Sequence, residues 1–161
     1  MLPPVRVLGV GSPFGLDDLA WRLIEQLQAS PRLNSLCGRD QLMLEKLDRP
    51  GVNLLSYFDH AEQLYLIDVM LHEKIPPGEV VWYCHEDVSQ AKLVHSSHGF
   101  GVQEALALAE SLGQIPSEMA IIAISLGNHP VCKNMDWHDV IAALAEELEP
   151  HIVEKCERVT V

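Results

Sequence analysis

A strand, a tight turn and a helix follow one another at the start of the chain and narrow the folds open to it. Residues 5–10 form an apolar, mostly β-branched run of the length expected for a buried strand. Three glycines and a proline at positions 9–15 end this run and allow the backbone to approach another group closely. Apolar side chains then recur at helical spacing, at Leu16, Ala20, Leu23, Ile24 and Leu27. This order predicts an α/β fold.

The rest of the chain continues the alternation of strands and helices. Ser30-Pro31 is expected to close the first helix, and a polar stretch follows it. Apolar runs predict further strands at 42–47, 64–69, 79–84 (near a sheet edge) and 119–126. Helical spacing predicts a short helix capped by Asn53, a helix over 102–112 that stops at Gly113, and a final helix from Asp136 to Leu148. We expect one layered α/β domain over residues 1–161.

Composition and charge exclude several classes of protein. The 161 residues are 48% hydrophobic, which is typical of a globular domain with a real core. A net charge of −12 makes a nucleic-acid partner unfavourable, because phosphate binding needs a basic face. No run reaches the length of a membrane span, and the first residues lack a secretory signal. The 4 cysteines are widely spaced, as in reduced cytoplasmic proteins, while the 8 histidines offer metal ligands.

The glycines of the first turn also suggest a nucleotide-binding module. Gly9-x-Gly11 follows a strand, but the third glycine is Gly15, so the pattern is G-x-G-x-x-x-G and departs from the dinucleotide-binding motif. Pro13 and Phe14 crowd the space of a pyrophosphate, and the acidic residues that follow would repel it. The nucleotide-binding hypothesis therefore rests on Gly9 and Gly11 alone.

Acidic and imidazole side chains are expected at one edge of the sheet. Asp17 and Asp18 begin the first helix, Asp68 lies near the end of the third strand, and His98 precedes a helix. Each has an ordinary structural explanation, as a helix cap, a strand-end hydrogen-bonding group or a polar residue before a helix. Together, at the carboxyl rim of a parallel sheet, two carboxylates and an imidazole suit a divalent ion. Zinc and nickel both fit such a set.

Nucleophilic catalysis has little support in the sequence. No G-x-S-x-G motif is present, Ser96 and Ser97 lack an orienting partner, and the thiols lie in no catalytic pattern. If the chain is an enzyme, metal-assisted hydrolysis is the favoured chemistry.

Four segments in this order resemble the [NiFe]-hydrogenase maturation endopeptidases. They are G-V-G-S-P-F-G-L-D-D, L-Y-L-I-D-V, S-S-H-G-F-G-V-Q-E-A-L-A-L-A and I-I-A-I-S-L, within a similarity that runs from about Val5 to about Leu148. The resemblance implies a three-layer α/β/α fold, with a twisted, mostly parallel five-stranded sheet and helices on both faces. It also implies a hydrolase that removes a C-terminal peptide from the hydrogenase large-subunit precursor once nickel has been inserted.

The resemblance assigns roles to individual residues. The positions that recognise nickel in the family correspond to Asp18, Asp68 and His98, while Asp17 becomes the helix cap and His95 lies outside the motif. Nickel is expected to arrive with the precursor, and another divalent ion such as zinc or cadmium is expected to fit the site in vitro. Ser12-Pro13 and the turn over 48–51 depart from the family pattern, and the second change bears on which precursor is recognised.

Besides the nucleotide-binding module, two hypotheses for function come out of the sequence. In the first, the chain is a cytoplasmic, monomeric endopeptidase that cuts the large-subunit precursor with the help of the precursor's own nickel. In the second, the same residues form a metal-dependent chaperone or binding module that holds the immature subunit without cutting it.

Overall fold

The computed structural model describes residues 1–90, 101–128 and 135–159. Five strands and four α-helices alternate along them. The strands are β1 (Val5–Gly11), β2 (Leu42–Asp48), β3 (Gln63–Met70), β4 (Val80–Tyr83) and β5 (Met119–Ser125). The helices are α1 (Leu19–Gln28), α2 (Pro31–Gly38), α3 (Val102–Ser111) and α4 (Trp137–Val159), and short 3₁₀ helices cover Gly15–Asp18, Gly51–Tyr57 and His85–Gln90.

The five strands form one sheet in the order β2-β1-β3-β5-β4. The first four are parallel, and β4 runs antiparallel to β5 at one edge. This confirms the predicted α/β class, the mostly parallel five-stranded sheet and the edge position of the strand near residue 80. Because the parallel strands share one direction, β1 and β3 end at the same rim.

Helices cover both faces of the sheet, as the resemblance implied. Alternate residues of each strand enter two hydrophobic cores, since successive side chains point to opposite faces. One core joins the sheet to α1, α2 and α4, and the other joins it to α3 and the 3₁₀ helix Gly51–Tyr57. Strands buried on both faces explain why the sequence shows continuous apolar runs rather than alternation.

Three predicted boundaries differ from the structure. Ser30-Pro31 does not lead into an irregular stretch but begins α2, because the Ser30 hydroxyl accepts a hydrogen bond from the Leu33 amide and Pro31 occupies the first turn. Asn53 is not a helix cap but lies within the 3₁₀ helix Gly51–Tyr57. The final helix continues past Leu148 and Pro150 to Val159.

Other predictions hold for the described residues. Gly113 follows α3 in a left-handed conformation, with φ of 67°, and the Asp136 carboxylate accepts the Asp139 amide at the start of α4. Cys37 and Cys84 are free thiols, Cys156 is buried with its Sγ atom 3.9 Å from the Gln41 carbonyl oxygen, and Cys132 lies outside the described residues. No helix in this part of the chain is long and apolar enough to span a membrane.

A buried arginine joins two backbone segments at the end of the sheet opposite the carboxyl rim. The Arg6 side chain extends from β1 and the residue is 0% exposed. Its guanidinium donates to four carbonyls, those of Pro3 at 2.6 Å, of Tyr57 and Asp59 at 2.7 Å and of Leu2 at 3.4 Å. These bonds join the start of the chain to the segment that precedes β3. Arg6 thus supplies hydrogen-bond donors to backbone carbonyls that would otherwise lack them.

We expect Arg6→Met to lower the free energy of unfolding by roughly 2–4 kcal/mol, because it leaves several buried carbonyls without a donor. Urea denaturation measures this change. Arg39→Met is the matched control, since Arg39 is exposed, and should change stability by less than about 0.5 kcal/mol. Similar losses in both variants would contradict a special role for the buried guanidinium.

Candidate functional site

The turn between β1 and α1 is closed by backbone contacts that only glycine permits. A Cβ atom on Gly11 would lie 2.2 Å from the Asp17 carbonyl oxygen, and one on Gly9 would lie 2.7 Å from Ile24 Cγ1. Both glycines therefore let the 3₁₀ helix Gly15–Asp18 and α1 lie directly on β1. This packing accounts for the G-x-G pattern without a bound nucleotide.

Ser12 is fully buried and holds the turn from inside. Its amide donates to the Asp17 carbonyl at 3.1 Å, and its hydroxyl donates to Asp17 Oδ2 at 2.5 Å. The Asp17 amide in turn donates to the carbonyl of Phe14 at 3.1 Å. One serine thus fixes both the backbone and the carboxylate of Asp17.

Asp17 does not serve as the helix cap that the sequence suggested. The cap position of α1 is Asp18, and neither aspartate makes a side-chain capping bond. The Asp17 carboxylate turns instead toward Ser12, and its Oδ1 atom is buried and accepts no hydrogen bond within the described part of the chain. Burial raises the pKa of Asp17, although the bond from Ser12 and the charge of Arg49 oppose the rise.

Asp18 follows Asp17 in the same turn, with a side chain that is 27% exposed although its Oδ1 atom is buried. This Oδ1 atom is 3.0 Å from Arg22 Nε one helical turn later. An exposed ion pair of this spacing contributes less than about 0.5 kcal/mol. A stronger ligand can therefore take the Asp18 carboxylate away from Arg22 at little cost.

Asp68 occupies the carboxyl end of β3 and is 1% exposed. The amide of Val69 donates to its Oδ1 atom at 2.8 Å. Burial raises the pKa of Asp68 well above its ordinary value, the Val69 amide lowers it, and the charge of Asp17 raises it further. A carboxylate that is costly to ionise in isolation is suited to a position where a cation arrives.

The structure brings part of the predicted set together. Asp68 and the Asp17–Asp18 pair lie at the carboxyl rim of the adjacent strands β1 and β3, and Asp17 and Asp68 are close enough to interact electrostatically. His98 and His95 lie outside the described residues. Within 1–90, 101–128 and 135–159, no three His, Cys, Asp or Glu side chains are grouped closely enough to hold a metal ion.

The link between Ser12 and Asp17 is the feature that the sequence interpretation missed. The only signal for it was that Ser12 is the first polar residue after an apolar strand, immediately beyond Gly11. Its partner five residues later cannot be read from periodicity, because the bond depends on how the turn folds back.

A second turn lies beside the first at the same rim. The Arg49 amide donates to the carbonyl of Gly11 at 3.0 Å, and the Arg49 guanidinium lies 5.7 Å from the centre of the Phe14 ring. Phe14 is 67% exposed. The turn at residues 48–51 thus borders the candidate site, where its Arg49 cation faces the Phe14 ring of the first turn.

Comparisons with known proteins agree with this architecture. The model of the HycI hydrogenase maturation protease family matches residues 49–154. The fold is similar to the hydrogenase maturating endopeptidase HybD from E. coli, with 19% identity, 96% of this chain and 94% of that chain covered, and a TM-score of 0.69.

Other solved structures lead to the same fold. The [NiFe] hydrogenase maturation protease HybD from Thermococcus kodakarensis is 19% identical, with 94% of this chain and 99% of that chain covered and a TM-score of 0.59. An endopeptidase from Escherichia coli has a TM-score of 0.61 at 17% identity, with 94% of each chain covered. A comparison with curated protein sequences finds no match.

We expect Gly11→Ala to lower the free energy of unfolding by roughly 1–3 kcal/mol, because the new methyl group collides with a backbone oxygen that cannot rotate away. Gly38→Ala is the matched control, since a Cβ there meets nothing within 4 Å. At the end of α2 this change should be neutral or stabilise by up to about 1 kcal/mol. Urea denaturation of both variants compares them, and equal effects would contradict the packing explanation.

The raised pKa of Asp68 predicts a pH-dependent stability in metal-free protein. In the folded state Asp68 retains a proton that the unfolded chain releases above about pH 4, so its contribution to stability is lost as pH rises toward the folded pKa. Asp68→Asn should remove this loss. The free energies of unfolding of variant and wild type are compared in the presence of chelator. As pH rises from about 4 to about 8, the variant should become more stable relative to wild type. A constant difference would contradict a raised pKa.

Proposed function

Because this chain belongs to the hydrogenase maturation protease family and is therefore a protease, we propose that it removes a C-terminal peptide from the precursor of a [NiFe]-hydrogenase large subunit. The proposed cut requires nickel already held by the precursor. Family membership favours proteolysis over the non-catalytic chaperone that the sequence left open.

One structural observation carries the proposal. A buried carboxylate at the end of β3 and an acidic turn after β1 meet at one rim of the sheet, where open α/β proteins form their ligand sites. A carboxylate pair in this position is unfavourable unless a positive charge compensates it. A nickel ion delivered by the substrate would provide that charge.

The proposed ligands of the precursor's nickel are Asp18, Asp68 and His98. Carboxylate and imidazole groups suit nickel, although the same donors would accept zinc or cadmium in vitro. Asp18 would exchange its exposed contact with Arg22 for the ion. Ser12 would keep Asp17 turned inward beside Asp68, where its charge adds to the attraction for a cation.

The proposed reaction is hydrolysis of one peptide bond. The substrate's nickel polarises the scissile carbonyl or lowers the pKa of a water molecule. The water oxygen bonds to the carbonyl carbon, the C–N bond breaks, and the leaving nitrogen takes a proton that the water has released. A precursor without nickel lacks the ion that joins it to the site, so metal insertion is checked before the cut. We propose that this takes place in the cytoplasm with a monomeric protease.

Intact-mass measurement of the precursor tests this proposal. A large-subunit precursor is co-expressed with the chain in nickel-replete and in nickel-depleted medium, and we expect loss of a C-terminal peptide only with nickel. Asp18→Ala, Asp68→Asn and His98→Ala should each slow the cut by about 100-fold or more, because the alanine variants remove a ligand of the ion and Asp68→Asn removes the negative charge of one. Glu110→Ala, an exposed carboxylate on α3, is the control and should leave the rate unchanged.

Two results would contradict the proposal. Wild-type cutting rates in all three ligand variants would remove these residues from the site. A stable complex with an unchanged precursor mass, in nickel-replete medium, would restore the chaperone hypothesis.

A further inference from the structure

The antiparallel edge strand β4 directs half of its backbone groups away from the sheet. The Ser125 amide donates to the Glu79 carbonyl at 2.8 Å, whereas the amide of the next residue, Leu126, donates to Met70 in β3 at 2.9 Å. Backbone groups alternate in direction along a strand, so Val81 and Tyr83 bond to β5 while Val80 and Trp82 point outward.

No other strand covers this edge in the part of the chain that the structure describes, where β4 pairs only with β5. The strand at the opposite edge is different. A side chain of α1 reaches the outer backbone of β2, where Gln28 Nε2 donates to the Leu44 carbonyl at 3.2 Å. The outward groups of β4 are therefore the more available template for an added strand.

The free edge of β4 begins at the level of the candidate site. The sheet register places Val80 opposite Ile124 and Ile124 opposite Val69, which is the residue after Asp68. Three strand spacings, or about 14 Å, separate β3 from a strand added beyond β4. About four to five extended residues cross this distance. A peptide held on the edge can therefore continue to the carboxyl rim.

The surroundings of β4 favour a peptide of positive charge. Glu79 is exposed before the strand and Glu86 is exposed after it, in a protein whose net charge is −12. Trp82 is 38% exposed, and its ring packs against His151 with centres 5.5 Å apart. These two rings line a cleft of about 520 Å³ that can accept a side chain of the added strand, and its carboxylates Glu86 and Glu118 outnumber its one lysine, Lys155.

We propose that β4 binds an extended, basic segment of the large-subunit precursor as a sixth strand of the sheet. This inference rests on the proposed function, because the precursor is the peptide substrate that the site would cut. Main-chain hydrogen bonds to Val80 and Trp82 provide the attachment, and the acidic residues at both ends of β4 select for positive charge. The precursor is thereby bound by β4 at a distance from the peptide bond that is cut.

Val80→Pro tests the edge, with Val80→Ala as the control for the side chain. Proline removes the outward amide and is tolerated at the first residue of an edge strand, but it also replaces a half-buried side chain that packs against the core. Because the amide is needed for binding rather than for chemistry, we expect KM for cleavage of the nickel-loaded precursor to rise by about tenfold with kcat unchanged. The Kd for the nickel-free precursor, which is not cut, should rise by the same factor in calorimetry.

Glu79→Lys tests the charge, with Glu110→Lys as the matched control on α3. The first change should raise KM and Kd by about tenfold at low salt and by less at about 0.5 M salt, because screening weakens the attraction. The control should move neither value. Circular dichroism and the melting temperature establish that all variants retain the fold.

The outcomes separate this inference from the proposed function. Cutting by wild type with unchanged KM and Kd in Val80→Pro and Glu79→Lys would overturn the edge-strand proposal and leave the protease assignment intact. If wild type does not cut the precursor, the proposed function fails. Even then, weaker precursor binding by Val80→Pro would support the edge and unchanged binding would overturn it.

Discussion

The close approach of the first helix to the first strand is the constraint on which the site depends. Gly9 and Gly11 remove the side chains that would keep Ile24 and the Asp17 carbonyl away from β1. With that approach fixed, Ser12 meets Asp17, and Asp18 projects from the same turn. A wider turn would carry both carboxylates away from Asp68. The same glycines that suggest a nucleotide site thus build a site of opposite electrostatic character.

Electrostatics at the rim oppose folding and favour ligand capture. Asp68 is buried with the charge of Asp17 nearby, so the folded protein keeps two acidic groups in an environment that resists their ionisation. Functional sites commonly carry such a cost, which the hydrophobic cores on both faces of the sheet offset. In the function proposed above, a cation brought by the substrate would relieve this cost and gain affinity in the same step.

The fold was largely predictable, because apolar runs at strand length and glycine stops are local signals. Helix α2 was missed since only Leu33 and Leu36 of it are buried, which leaves little periodicity, and Ser30-Pro31 indicates a helix start as readily as a stop. The positions of Asp18 and Asp68 followed from motif order, whereas the Ser12–Asp17 bond required the folded turn. His98 lies outside the described residues, so its place in the site stays a prediction.

Helix α4 has a consequence for how the protein is made. Its side chains pack with those of α1 in one core, although the two helices are separated by more than half of the sequence. During synthesis, α1 and its face of the sheet must therefore wait with apolar surface exposed until α4 leaves the ribosome. The contacts that complete this face are long-range, and topologies of this kind fold slowly. The apolar face of this protein is thus completed only late in synthesis.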